Sequence, residues 1–273
     1  MNNYRMIVLD IDGTLLDSRK NIPPVCLAAM REAAEAGRII VLGTGRALCE
    51  LRDLEKDLPA VRYAIFASGA GIYDLAEQKA FALRPLPREQ AEAALYAASL
   101  GMIMPQIVLA DRDVIQQDFL RELEEYHMGM YRPMYERQMT LVPDIYAFAR
   151  QHLEEILKIN LYHLRAEDRP ETMARLSGQD MEKVYAEYGS IECSARNVHK
   201  GNGLIALCRH LGIDPRETIA VGDAPNDIPM LQAAGLGVAM GNAGEEVKAA
   251  AKITVPSNDE GGCADAIRLF RRT

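Results

Sequence analysis

Apolar runs and helical periodicities alternate along the first third of the chain. Residues 6–9 form a continuous apolar run, which is typical of a strand covered on both faces in a parallel sheet. Residues 23–36 have helical spacing, with prolines in the first turn and a glycine after the end. The order of strand, helix and strand then repeats over residues 38–42, 47–58 and 63–67. This alternation predicts right-handed crossovers and an open parallel sheet.

The last third of the chain continues the same rhythm. Strands are predicted at residues 218–221 and 237–240, among helices at residues 201–211, 226–234 and 262–270. We therefore expect residues 1–83 and 192–273 to form one α/β core domain with a Rossmann-like parallel sheet. In such sheets a ligand binds at the carboxyl ends of the strands.

The middle of the chain has a different texture. Pro85 and Pro87 mark a crossing point, after which short helical and strand-like segments follow each other. Residues 84–191 are therefore predicted to form an inserted α+β domain. Its predicted helices are residues 88–100, 119–127 and 170–177, and its predicted strands are residues 103–109, 114–116 and 156–162.

Composition and charge exclude several classes of protein. A chain of 273 residues that is 49% hydrophobic can bury a large core, and its net charge of −8 comes without the basic stripe that nucleic acids require. The five cysteines are scattered and odd in number, which argues against a disulfide framework. No apolar run approaches the roughly 20 residues that span a bilayer. We therefore expect a cytoplasmic protein without nucleic-acid or membrane partners, either a monomer or a homodimer.

Two carboxylates follow directly on the first predicted strand, in the segment Asp10-Ile11-Asp12-Gly13-Thr14. If this segment stays extended, the spacing of two directs both carboxylates to the same side. One aspartate can then act as a nucleophile, since aspartates form acyl phosphates, while the other serves as acid and base. Asp-Gly is also a common turn pair, so a surface turn with two solvated acids is the alternative.

Two further segments are suited to an anion. The segment Gly43-Thr44-Gly45-Arg46 ends the second strand, where small residues let backbone N–H groups approach a phosphate. Lys200 precedes a helix and could offset the charge of a phosphoryl group. Each signal is weak alone, because glycines are common in such turns and most lysines are solvated.

An acidic turn follows the strand predicted at residues 218–221. Its sequence, Gly222-Asp223-Ala224-Pro225-Asn226-Asp227, supplies the oxygen ligands that Mg²⁺ prefers. Asp223 is the better placed ligand, and Asp227 could ligate through water or hold the other ligands in place. The structural alternative is a turn in which Asn226 and Asp227 cap a helix. Four such segments in this order jointly indicate one site.

Together these motifs resemble those of the haloacid dehalogenase superfamily, and specifically of its Cof-type phosphatases of subclass IIB, which carry a large α+β cap. The matching segments are residues 10–15, 43–46, 200–201, 222–223, 226–227, 237–243 and 257–262.

The resemblance implies roles for individual residues. Asp10 would be the nucleophile, Asp12 the general acid and base, and Thr44 and Lys200 the groups that hold phosphate. The implied cofactor is Mg²⁺, with ligands from Asp10, Asp12 (through its carbonyl), Asp223 and Asp227. The implied phosphate or substrate contacts are Gly45, Arg46, Ser68, Gly69 and Asn226. Ser68 stands where the family commonly has asparagine, which leaves the contact at that position open.

The implied function is hydrolysis of a phosphate monoester of a small metabolite, such as a sugar phosphate, through an aspartyl phosphate on Asp10. A phosphomutase needs the same two aspartates, and a regulatory protein could bind a phosphometabolite without turnover, so both alternatives stay open. A transport ATPase is disfavoured by Asp12 and by the missing membrane span. A dinucleotide-binding protein would need a glycine-rich turn where this chain has its carboxylate pair.

The inserted domain would close over the substrate and select it. Its polar and aromatic cluster is interpreted as solvated loop residues rather than as part of a site. The cluster consists of His127, Tyr131, Arg132, Tyr135 and Arg137.

Overall fold

The computed structural model describes residues 4–186 and 188–271, with the backbone alone at residues 52 and 53. The chain divides into two compact units. The first comprises Met1–Gly45, Asp53–Ala82 and His199–Thr273, and the second comprises Arg46–Arg52 and Leu83–Val198. Both units combine helices with a sheet, so the predicted α/β class with a mainly parallel core sheet is confirmed.

The secondary structure of the described residues follows the chain in this order. The strands are β1 (Met6–Leu9), β2 (Ile39–Gly43), β3 (Val61–Phe66), β4 (Gly71–Asp74), β5 (Lys79–Phe81), β6 (Ile103–Val108), β7 (Asp113–Gln116), β8 (Thr140–Val142), β9 (Lys158–His163), β10 (Met181–Tyr185), β11 (Ser190–Ala195), β12 (Thr218–Gly222), β13 (Leu236–Ala239) and β14 (Ile253–Thr254). The α-helices are α1 (Pro24–Glu35), α2 (Leu48–Glu55), α3 (Arg88–Ser99), α4 (Arg132–Gln138), α5 (Ile145–His152), α6 (Arg169–Arg175), α7 (Lys200–Leu211), α8 (Ile228–Ala233), α9 (Glu245–Ala250) and α10 (Gly262–Arg268).

The first unit is built on an eight-stranded sheet in the order β14-β13-β12-β1-β2-β3-β4-β5. The strands from β14 to β3 run parallel, and β4 and β5 add an antiparallel edge that the sequence pattern did not predict. β1 lies between β12 and β2, in registers that align Leu9 with Val221 and with Leu42. The residues that follow these three strands therefore emerge side by side.

The central strand is buried on both faces, as its continuous apolar sequence predicts. All four residues of β1 are 0% exposed. Met6 and Val8 belong to an apolar cluster with Leu204 and Leu207 of α7. Burying a side chain of this size stabilises the fold by about 1.5–3 kcal/mol. The end of β1, where Asp10 begins, is thus held in a densely packed layer.

The second unit contains a six-stranded sheet in the order β10-β11-β9-β6-β7-β8. Neighbouring strands are antiparallel except for β7 and β8. The helix predicted at residues 119–127 is wrong, because these residues form a 3₁₀ turn (Gln117–Leu120) followed by further turns. His127 has a φ of +64°, which a right-handed helix does not allow. The apolar residues Leu123 and Tyr126 instead join a cluster with Met104 of β6.

The interpretation of the polar and aromatic cluster as solvated is wrong for Tyr135. This side chain lies on α4, is 1% exposed and donates its hydroxyl to Gln106 Oε1 at 3.3 Å. His127 and Arg137 are exposed, as expected for solvated residues. All five cysteines are buried, and none forms a disulfide within the described residues. Within the described residues, no helix has the length and apolar character that a bilayer crossing requires.

Candidate active site

Asp10 lies at the carboxyl edge of the core sheet, where the chain begins to turn. Its N–H donates to Val221 O at 3.0 Å, which continues the pairing of β1 with β12 by one residue. Beyond Asp10, the N–H groups of Leu15 and Leu16 both donate to Ile11 O. These bonds form a turn that begins at Ile11. The premise that residues 10–12 stay extended is therefore wrong.

Gly13 permits this turn to approach the acidic loop that follows β12. Its φ is +80°, and a Cβ atom at this position would lie 2.3 Å from Asp223 Oδ2. Glycine adopts such a φ without steric cost and has no Cβ to clash. The Asp-Gly pair is thus a turn, but not the surface turn with two solvated acids, because Asp10 is buried; this turn borders the candidate site.

Lys200 brings a buried ammonium group into contact with Asp10. Its Nζ lies 2.6 Å from Asp10 Oδ1 and 2.6 Å from Asp227 Oδ1, and its side chain is 2% exposed. Burial by itself lowers the pKa of Lys200, but the two carboxylates outweigh this effect and hold the pKa above its ordinary value. Lys200 therefore remains a cation at the pH of the cell.

The turn after β3 packs against the beginning of α7, where Lys200 lies. A Cβ atom at Gly69, whose φ is +99°, would lie 2.4 Å from His199 O. Ser68 also has a left-handed backbone, with a φ of +57°, and donates its N–H to Thr44 O at 3.0 Å. Thr44 is 2% exposed and donates its own N–H to Ile65 O at 2.9 Å. Thr44, Ser68 and Gly69 thus lie at neighbouring strand ends of the same unit.

Asp223 and Asp227 have different surroundings. Asp223 Oδ1 accepts a bond from Thr14 Oγ1 at 2.8 Å, and burial together with Asp227 raises its pKa to about 6. Asp227 is fully buried, and its Oδ2 accepts the N–H groups of Asp223 and Ala224, each at 3.0 Å, while Lys200 contacts its Oδ1. Both oxygens of Asp227 thus accept hydrogen bonds from other residues of the protein, which supports a role in positioning Lys200 and the loop after β12. Direct metal ligation by Asp227 stays a prediction.

The acidic group at this edge suits a hard divalent cation. Oxygens of Asp10, Asp223 and Asp227 all lie within 4.8 Å of one another, and Lys200 offsets only one of the three charges. Burial raises the pKa of Asp10 well above its ordinary value; Asp227 adds to this effect, and Lys200 opposes it. Asn226 Oδ1 is buried without a protein partner in the described part of the chain. These oxygen donors and the uncompensated negative charge fit Mg²⁺.

The Asp12 side chain makes a separate ion pair. Its Oδ1 accepts a bond from Lys20 Nζ at 2.8 Å, and neither side chain is more than a third exposed. Among the described residues, the carboxylate of Asp12 is not part of the acidic group above. The predicted metal contact through its carbonyl stays a prediction. The phosphate or substrate contacts predicted for Gly45 and Arg46 also stay predictions. Gly45 belongs to the first unit and Arg46 to the second.

Two asparagines without a predicted role hold the turn around Gly13. Asn242 Nδ2 donates to Gly13 O at 2.9 Å, and Asn258 Nδ2 donates to Leu16 O at 2.8 Å. Asn258 N–H also donates to Asn242 Oδ1 at 3.1 Å. Both asparagines lie in segments that match the family motifs, which was the signal available in the sequence. Lys20 lies outside those segments.

A mainly parallel sheet with carboxylates at its carboxyl edge and an inserted α+β unit defines a class of α/β enzymes. The model of the haloacid dehalogenase-like hydrolases matches residues 7–267, so this chain belongs to that family of hydrolases. The family expected from the motifs is thereby confirmed.

Individual relatives agree with this assignment. Phosphatase YwpJ of Bacillus subtilis is 29% identical over 284 residues, which cover 97% of this chain and 99% of that protein. A solved haloacid dehalogenase-like hydrolase from B. subtilis is 26% identical with a TM-score of 0.84, covering 97% of this chain and 99% of the other. "Endoribonuclease YBEY, chloroplastic" of Arabidopsis thaliana is 29% identical over 289 residues, but this chain spans 46% of its length.

Proposed function

We propose that this hydrolase is a Mg²⁺-dependent phosphatase that dephosphorylates a small metabolite, such as a sugar phosphate, through a phosphoaspartate on Asp10. The observation that carries the proposal is the 2.6 Å contact of Lys200 Nζ with Asp10 Oδ1, next to Asp223 and Asp227. This contact brings a carboxylate nucleophile and a fixed cation together with oxygens that can bind a metal, at the carboxyl edge of the core sheet. The similarity to phosphatase YwpJ supports phosphate monoesters as the substrate class.

In the first step, the Asp10 oxygen that is not bonded to Lys200 attacks phosphorus. The bond from phosphorus to the ester oxygen breaks, its electron pair goes to that oxygen, and Asp12 supplies the proton. Lys200 and Thr44 stabilise the charge on the phosphoryl oxygens as it develops. A divalent cation held by Asp10 and Asp223 would neutralise part of this charge.

In the second step, water attacks the phosphorus of the phosphoaspartate while Asp12, now a carboxylate, accepts a proton from it. The bond between phosphorus and the Asp10 oxygen breaks, its electron pair returns to the carboxylate, and inorganic phosphate leaves. Burial around Asp10 excludes other water, which favours this ordered transfer.

The test is release of inorganic phosphate from a panel of phosphorylated metabolites in Mg²⁺, compared with EDTA. The matched variants are Asp10→Asn and Asp265→Asn, because Asp265 is an exposed aspartate of the same unit. We expect release that depends on Mg²⁺, a loss of at least about 1,000-fold in Asp10→Asn and no change in Asp265→Asn. Undiminished activity of Asp10→Asn contradicts the covalent mechanism, and isomerised product without free phosphate indicates a mutase.

A further inference from the structure

Lys20 contacts the residue to which the proposed mechanism assigns proton transfer. Its Nζ lies 2.8 Å from Asp12 Oδ1, within the first unit of the structure. The side chains of Lys20 and Asp12 are 32% and 24% exposed, so the pair lies at the border between core and solvent. Because neither charge is fully solvated, this contact holds the two side chains in one relative geometry.

A closed turn holds the Lys20 backbone in an uncommon conformation. Asp17 Oδ1 accepts the N–H groups of Arg19 and Asn21 at 2.9 Å and 2.8 Å. The N–H of Lys20 donates to Asp17 O, and the N–H of Asp17 donates to Asn21 O, each at 2.9 Å. Lys20 has a φ of +63°, which is rare for a residue with a long side chain. The turn that holds this conformation places the ammonium group of Lys20 at Asp12.

The ammonium group determines which oxygen of Asp12 can carry a proton. A lysine ammonium has three donors and no acceptor, so the oxygen that it contacts must accept. Oδ1 therefore accepts the bond from Lys20, and this geometry assigns the transferable proton to Oδ2. The contact also restricts rotation of the carboxyl group, so that Oδ2 keeps one direction.

We infer that Lys20 is a positioning residue that confines the proton of Asp12 to Oδ2 and directs it to the ester oxygen of the substrate. This inference rests on the proposed phosphatase function. In the step that it serves, the proton leaves Oδ2 as the bond from phosphorus to the ester oxygen breaks and the electron pair stays on that oxygen. Leaving groups that depend most on protonation should therefore depend most on Lys20.

The experiment compares kcat for phenyl phosphate and p-nitrophenyl phosphate, two esters of similar shape. Phenolate is the poorer leaving group and needs more help from the acid. In Lys20→Asn we expect kcat for phenyl phosphate to fall about tenfold and that for p-nitrophenyl phosphate less than about twofold. Asparagine accepts a positive φ more readily than lysine, so this variant should fold. Lys20→Gly is the second variant, because glycine adopts this φ freely.

Two controls accompany these variants. Lys248→Asn removes another partly buried ammonium of the same unit, which pairs with Glu245, and should leave the ratio of the two rates unchanged. Lys20→Arg keeps a donor-only cation and should restore the ratio to within about twofold of the wild type. A ratio that stays at the wild-type value in Lys20→Asn and Lys20→Gly, or equal losses on both esters, overturns the inference. Failure of the phosphatase proposal is seen separately, as undiminished phosphate release by Asp10→Asn.

Discussion

Lys200 Nζ lies 2.6 Å from Asp10 Oδ1 although 190 positions separate the two residues in the sequence. Both side chains are buried, so neither charge is solvated and each depends on the other. Asp227 shares the same ammonium group, which makes Lys200 the cation on which two buried carboxylates rely. The consequences of this arrangement can be measured.

Replacing Lys200 by methionine should disable the site and weaken the fold. The variant leaves Asp10 and Asp227 buried without their cation, and breaking a buried ion pair costs about 3–5 kcal/mol of unfolding free energy. We expect that loss in urea titrations with EDTA and no measurable phosphate release in Mg²⁺. Lys248→Met, at a solvent-accessible ion pair of the same unit, should lose less than about 1 kcal/mol. Wild-type turnover by Lys200→Met would contradict the assigned role.

Gly13→Ala should damage both stability and activity. Its Cβ would lie 2.3 Å from Asp223 Oδ2, and its φ of +80° strains any residue with a side chain. Strain and displacement of this kind cost about 1–3 kcal/mol. Gly244→Ala is the matched control, because a Cβ there meets nothing within 4 Å. Chemical denaturation measures the stabilities, and equal stabilities of the two variants would show that the turn tolerates a side chain.

Removal of a metal ligand should abolish stabilisation by the metal. A ligand that binds only the folded state raises the free energy of unfolding as its concentration exceeds Kd. We expect millimolar Mg²⁺ to raise the Tm of the wild type and of Asp265→Asn, but not that of Asp223→Asn, which loses one carboxylate of the acidic group. Scanning calorimetry with Mg²⁺ or EDTA measures the shifts. An equal shift in Asp223→Asn would place the metal elsewhere.

Acidification should destabilise the second unit through His163. Burial lowers the pKa of His163, whose Nδ1 lies 2.9 Å from Gly189 O and whose Nε2 lies 2.8 Å from Thr172 Oγ1. Because the unfolded chain then binds the proton more readily than the folded one, this stability is complete above the ordinary pKa of 6.5 and is lost as the pH falls below it. Urea titrations across this range should show a steeper loss for the wild type than for His163→Gln. If the unfolding free energies of the two proteins fell in parallel with pH, His163 would not be the cause of the acid destabilisation.

The sequence was sufficient for the core of the site because its signals are local to buried strands. The continuous apolar sequences of β1, β2 and β12 predict parallel neighbours, and parallel neighbours bring their carboxyl ends to one edge. Asp10, Thr44 and Asp223 each follow such a strand within two residues. Their proximity follows from that geometry, while their catalytic roles stay predictions.

Other features depend on contacts that no periodicity reports. The turn that aims Lys20 at Asp12 is built by the side chain of Asp17, and hydrogen bonds of this kind leave no repeating pattern. The helix predicted at residues 119–127 is wrong for a different reason, because here a local pattern exists but does not decide the structure. Its apolar residues have helical spacing, but consecutive turns bury Leu123 and Tyr126 against β6 equally well. Tertiary packing therefore overrides the local pattern in the second unit.

The most direct test of the central claim is identification of the residue that carries the phosphoryl group during turnover. We would mix Asp12→Asn, which should form the intermediate from p-nitrophenyl phosphate and hydrolyse it slowly, with that ester in Mg²⁺, quench in acid and map the modified peptide by mass spectrometry. We predict one added phosphoryl group on Asp10 that disappears in the double variant with Asp10→Asn. A phosphoryl group on any other residue would contradict the proposed chemistry.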